Sequence, residues 1–76
     1  MKEYIGKTFE VKGLADTREV KIIETYLLGG QKRYPAFKCE VIKSKLNEGI
    51  GSRENFLARD IIRNGSLVSS IKVLAR

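Results

Sequence analysis

Apolar and polar residues alternate along most of this chain with the two-residue period of a β-strand. Between Gly6 and Gly13 the alternation is strict, with Phe9 and Val11 on one side and Thr8, Glu10 and Lys12 on the other. The longest such stretch runs from Arg18 to Lys43, two apolar-rich arms joined at Gly29-Gly30. It is rich in β-branched and aromatic residues, nine of the chain's 22, and predicts a long antiparallel hairpin on which the rest packs. In the first arm Val20, Ile22, Tyr26 and Leu28 share a face with Glu24, and Lys21, Ile23, Thr25 and Leu27 share the other. Apolar residues on both faces predict a strongly bent strand, covered on both sides along part of its length. Such bending curls a small sheet toward a barrel and removes exposed edges. Pro35 lacks a backbone donor, which places Tyr34-Pro35 near the beginning of its strand or on an edge.

Elsewhere the pattern is shorter. Tyr4 and Ile5 are expected to cover one end of the core, and Leu14 to Thr17 to turn the chain into the hairpin. The polar, glycine-bearing stretch from Lys43 to Gly51 reads as a loop centred near Asn47 to Gly49. Leu57, Ala58, Ile61 and Ile62 have the spacing of one helical face. The spacing predicts a helix of about two turns from Phe56 or Leu57, stopped at Asn64-Gly65, after an extended segment 51–56. From Ser66 to Arg76 alternation returns and predicts a final strand. The expected fold is therefore mostly β with one short helix. It is a single domain, residues 1–76, with four or five strands in a small curled antiparallel sheet or barrel built on the central hairpin.

Composition narrows the function. At 76 residues the chain has room for only a modest core. With 42% hydrophobic and 32% charged residues it reads as globular. No apolar run suits a membrane span or a secretory leader, so no membrane association and a cytoplasmic location are expected. Histidine is absent, which removes the commonest general base and metal ligand. The single cysteine, Cys39, shares a strand side with Phe37 and Val41 and reads as a small buried hydrophobe. The carboxylates are scattered singly, and neither Gly29-Gly30 nor Gly49-Ile50-Gly51 matches a phosphate loop. These observations point to no catalytic residue, metal or cofactor.

Charge supplies the positive signal. Residues 1–31 carry five Lys or Arg against five Asp or Glu, whereas residues 32–76 carry ten against four. The whole net charge of +6 therefore follows the Gly-Gly corner. Lys32 and Arg33 precede Tyr34, a pattern that joins phosphate neutralisation to base stacking. Arg59 and Arg63 fall one turn apart on the expected helix, with Arg53 before them and Lys43 and Lys45 in the neighbouring loop. A row of this kind suits a phosphate backbone. The leading expectation is a basic, non-enzymatic module that binds DNA or RNA through Lys32, Arg33, Lys43, Lys45, Arg53, Arg59 and Arg63. The alternative is a protein-interaction module, or a homo-oligomeric structural protein. In it Ile23, Leu27, Tyr34 and Phe56 contact a partner and the basic patch steers toward an acidic surface.

Three stretches also carry a resemblance: Ile5-Gly6-Lys7-Thr8-Phe9, Tyr34-Pro35-Ala36-Phe37-Lys38-Cys39, and Phe56 to Gly65. Their order, a strand, a Tyr-Pro strand and a short helix ending in Asn-Gly, resembles small phage or prophage proteins with a Src-homology-type β-barrel. That resemblance implies a small barrel, and roles that range from nucleic-acid binding to inhibition of host proteins. It carries no functional residue over to this chain.

Overall fold

The computed structural model describes residues 1–73. A single 3₁₀ turn at Lys2–Tyr4 precedes β1 (Thr8–Lys12), β2 (Thr17–Leu28) and β3 (Tyr34–Ser44). There follow β4 (Arg53–Leu57), α1 (Ala58–Ile61), β5 (Ile62–Arg63), β6 (Ser66–Leu67) and β7 (Ser70–Lys72). Among the described residues five strands form one sheet in the order β4-β3-β2-β1-β7, and β5 pairs with β6 in a second. The fold is mostly β, a curled half-barrel with one short helix. The long hairpin lies at its centre, as the alternation predicts.

The curl follows from two irregularities in that hairpin. Ile22 stands opposite Cys39 but Glu24 stands opposite Lys38, so Ile23 is an extra residue in β2. Glu19 faces Lys43 while Val20 faces Val41, which makes Ile42 the extra residue in β3. Each bulge bends its strand and steepens the local twist. The bulge at Ile23 also corrects the expected facing. A strictly alternating strand would keep Glu24, Tyr26 and Leu28 on the side of Val20 and Ile22, but one inserted residue moves them to the other side. Glu24 thereby escapes the core and pairs with Lys38 at 3.4 Å on the outside.

The inner face carries Phe9 and Val11 from β1, Val20 and Ile22 from β2, and Phe37, Cys39 and Val41 from β3, all essentially inaccessible. Ala58 and Ile61 close this core from α1, and Tyr4 from the N-terminal turn. Phe9 and Phe56 pack edge to face with centroids 5.3 Å apart, although β1 and β4 are separated by two strands in the sheet order. Only a tightly curled sheet brings those rings together. Tyr4 packs edge to face on Phe37 at 6.0 Å, and its hydroxyl donates to the Gly65 carbonyl at 2.8 Å. Ile5, by contrast, is exposed, so Tyr4 alone performs the covering expected of the pair.

The region after β4 departs most from the sequence expectation. The helix is one turn, not two, because the chain is already extended at Ile62 (φ −117°, ψ 126°). Asn64 and Gly65 both have positive φ, 53° and 78°. Two such residues in succession make a tight hairpin turn, and here they join β5 to β6 rather than stopping a helix. The adjacent β-branched Ile61 and Ile62 favour extension over a second helical turn. The expected final strand is likewise interrupted between Leu67 and Ser70. Its last part, β7, pairs parallel to β1, Val11 opposite Ile71, whereas the other sheet pairings are antiparallel. Residues 74–76 of that expected strand lie outside the described residues.

Candidate nucleic-acid interface

All seven expected nucleic-acid contacts are exposed, but the fold distributes them over several places. Lys32 and Arg33 occupy the turn between β2 and β3, at one end of the hairpin. Lys43 and Lys45 lie at the other end of β3, roughly 30 Å away along an extended strand. Arg53 opens β4 opposite Glu40. Arg59 and Arg63 do not share a helical face, since Arg63 belongs to β5. Arg59 borders a hollow of ≈ 240 Å³ with Met1, Pro35, Ala58 and Ile62. Arg63 borders a separate groove of ≈ 550 Å³ with Phe56, Asp60, Val68 and Ile71. The helical alignment of Arg59 with Arg63 read from sequence spacing required the longer helix, and α1 ends before Arg63.

Pairing divides these cations further. Lys43 stands opposite Glu19, and Lys21 opposite Glu40, which in turn stands opposite Arg53. The Arg53 guanidinium approaches Glu40 to 3.9 Å. The outer face of the sheet is therefore a mosaic of cross-strand partners of opposite sign, each worth a few tenths of a kcal/mol to about 1 kcal/mol. Solvated faces of this kind hold little net potential.

The hairpin end differs. From Thr25 to Cys39 there is no acidic residue; Lys38 pairs with Glu24 just outside that interval, while Lys32 and Arg33 lie within it at the turn. β4 runs antiparallel to β3, with Leu57 opposite Ala36, so α1 arrives beside the beginning of β3. There the Arg59 guanidinium carbon lies 5.2 Å from the centroid of the Tyr34 ring. A cation over an aromatic face within about 6 Å is an attractive contact. It uses Arg59 without neutralising it. Leu28 is the cross-strand partner of Tyr34, and Leu27 that of Pro35. Leu27, Leu28 and Tyr34 are exposed by 57%, 49% and 40%, far more than the core positions a few residues away.

Of the expected partner contacts, Leu27 and Tyr34 thus lie together at this end. Ile23 is half-buried in its bulge, and Phe56 is half-buried against Phe9. Leu28 and the meeting of Arg59 with Tyr34 escape the sequence reading. The acid-free interval from Thr25 to Cys39 is the signal that marks the region.

The opposite end is a knot of specific bonds. Arg18 donates to Glu54 through two nitrogens, Nε to Oε2 and a terminal nitrogen to Oε1 at 2.7 Å. The two side chains are about three-quarters buried, and the pairing holds the Arg18 guanidinium above its ordinary pKa. Asp16 accepts from the Ser44 hydroxyl at 2.8 Å and from the Leu46 amide at 3.3 Å. These bonds fasten the β3–β4 loop to the β1–β2 turn. Burial, with a lesser contribution from the nearby Glu54 charge, pushes the Cys39 thiol up to about 12, so it is protonated at neutral pH.

Among the described residues no cluster of three His, Cys, Asp or Glu is placed to hold a metal ion. No helix among them is long and apolar enough to cross a membrane. Comparison with family models, with curated proteins and with solved structures finds no match to this chain. The likeness to small phage barrels rests on the order of its sequence elements alone.

Proposed function

We propose that this protein is a non-enzymatic binding module that contacts the phosphate backbone of nucleic acid, with the hairpin end as the centre of the contact. The observation that carries this reading is the acid-free interval from Thr25 to Cys39, whose cations Lys32 and Arg33 adjoin Tyr34 and Arg59. Lys45 and Arg63 add exposed positive charge elsewhere, while Lys43 and Arg53 face carboxylates and contribute less. Binding of this kind is driven by counterion release and falls as salt rises, by roughly 0.7 to 0.9 log units per phosphate contact for each log unit of salt. Labelled random-sequence DNA and RNA, titrated by fluorescence anisotropy at low ionic strength, should bind with that dependence. Replacing Lys32→Glu and Arg33→Glu together should weaken binding at least tenfold. Absence of binding to any strand at low salt would refute the proposal.

A second reading, contact with a protein, is favoured by the exposed Leu27 and Leu28 and by the hollow beside Pro35. Its expected signature is the reverse sensitivity. Leu27→Ser would change the mass of the particle in solution or its association with a partner, and charge reversal at Lys32 and Arg33 would alter chiefly the rate of encounter.

A further inference from the structure

The hairpin end combines three features that a duplex does not need and a single strand does. The first is an aromatic ring whose position is fixed. Tyr34 begins β3 opposite Leu28, and Arg59 lies against its ring. The turn beneath it is tight. Gly29 has φ +111°, and a β-carbon there would collide with the Lys32 carbonyl and come within 3.7 Å of the Tyr34 ring. The second feature is exposed apolar surface, at Tyr34 and Leu28, directly beside cations. Apolar groups find no complement on the phosphate exterior of a duplex, but an unstacked base offers them a flat face. The third is brevity. Lys32, Arg33 and Arg59 suffice for a few phosphates, and the sheet beyond them is the charge mosaic of Lys21, Glu40 and Arg53 and of Glu24 and Lys38. A duplex would meet carboxylates as it left the hairpin end.

Building on the nucleic-acid reading, we infer that Tyr34, with Leu28 beside it, is a stacking platform for unpaired bases, and that the preferred ligand is single-stranded. Lys32, Arg33 and Arg59 hold the flanking phosphates. The Arg59 guanidinium doubles as a second flat surface on which a base can stack. Recognition of this kind tolerates any base sequence, because every base has a π-face.

The test compares fluorescein-labelled random-sequence single strands of about 12 nucleotides, DNA and RNA, with duplexes of the same sequence at the same low salt. The single strand should bind at least tenfold more tightly. Tyr34→Ala should weaken single-strand binding about tenfold and change duplex binding less than twofold. Tyr34→Phe should retain full affinity, because the ring rather than the hydroxyl does the stacking. Circular dichroism of both variants establishes that they fold. Equal affinity for duplex, or a Tyr34→Ala loss shared equally by both forms, overturns the platform, as does a Tyr34→Phe loss as large as that of Ala. Binding that survives Tyr34→Ala but not charge reversal at Lys32 and Arg33 overturns the platform and leaves the phosphate-contact reading standing. No binding of either form removes both.

Discussion

The two ends of β3 are built from similar residues and pair their charges differently. At the Ser44 end, Arg18 is matched by Glu54, Lys43 by Glu19, and the loop amides and hydroxyls by Asp16. At the Tyr34 end, Lys32, Arg33 and Arg59 have no carboxylate close in sequence except Asp60, which faces the separate groove beside Arg63. Apolar exposure does not separate the ends: Leu14, Leu46 and Ile50 are exposed at one, Leu27 and Leu28 at the other. A cation with a partner holds strands together; a cation without one is free to bind something else. Pairing, more than composition, separates the scaffold from the proposed contact surface.

The sharpest way to break this contrast is to remove a partner at the matched end. Glu54→Ala leaves the Arg18 guanidinium mostly buried and unpaired, which should cost about 2–3 kcal/mol in urea denaturation. Leu27→Ser at the unmatched end should shift stability by no more than about 0.5 kcal/mol. Comparable losses at both ends would erase the distinction.

A smaller effect should come from the turn itself. Gly29→Ala forces a side chain into positive φ and against the Lys32 carbonyl. It should cost about 1–2 kcal/mol and weaken the proposed nucleic-acid binding by displacing Tyr34. Strain that lowers stability while leaving affinity unchanged would detach the turn from the site.

The smallest effect at neutral pH concerns Cys39. Its folded-state pKa of about 12 lies above the ordinary 9.0, so the native state holds this proton more tightly than the unfolded chain. The contribution is fully present below pH 9 and is lost as pH rises from about 9 toward 12. Wild-type stability should fall across that window, and Cys39→Ala should flatten the fall while lowering stability overall. A thiol that reacts with an alkylating agent at neutral pH faster than the chain unfolds would contradict its burial.

Much of the fold was legible in period-two patterning. Phe9 and Val11, then Phe37, Cys39 and Val41, alternate without interruption, and each set is buried as a strand requires. Pro35 sits where its missing donor does no harm, in β3 beyond the first residue paired to β4. The misreadings share one cause. Asn64-Gly65 satisfies both a helix stop and a hairpin turn, and the choice depends on Ile61 entering the core while Val68 donates its amide to the Ile61 carbonyl at 2.9 Å. The facing of Glu24, Tyr26 and Leu28 depends on a single inserted residue, Ile23, whose side chain gives no local sign of a bulge. The expected alignment of Arg59 with Arg63 needs a helix that reaches Arg63, and α1 ends at Ile61.

By itself, then, the sequence determined a curled, mostly β domain around the hairpin from Arg18 to Lys43, with its positive charge after Gly29-Gly30. Those properties follow from local preference and periodicity, which each segment carries alone. Only the tertiary structure decided which cations stand opposite carboxylates and which do not. It set Lys43 against Glu19, Arg53 against Glu40 and Arg18 against Glu54, and brought Arg59 onto Tyr34 across 25 residues of chain. Charge pairing depends on distance in space, and strand register and bulges fix that distance.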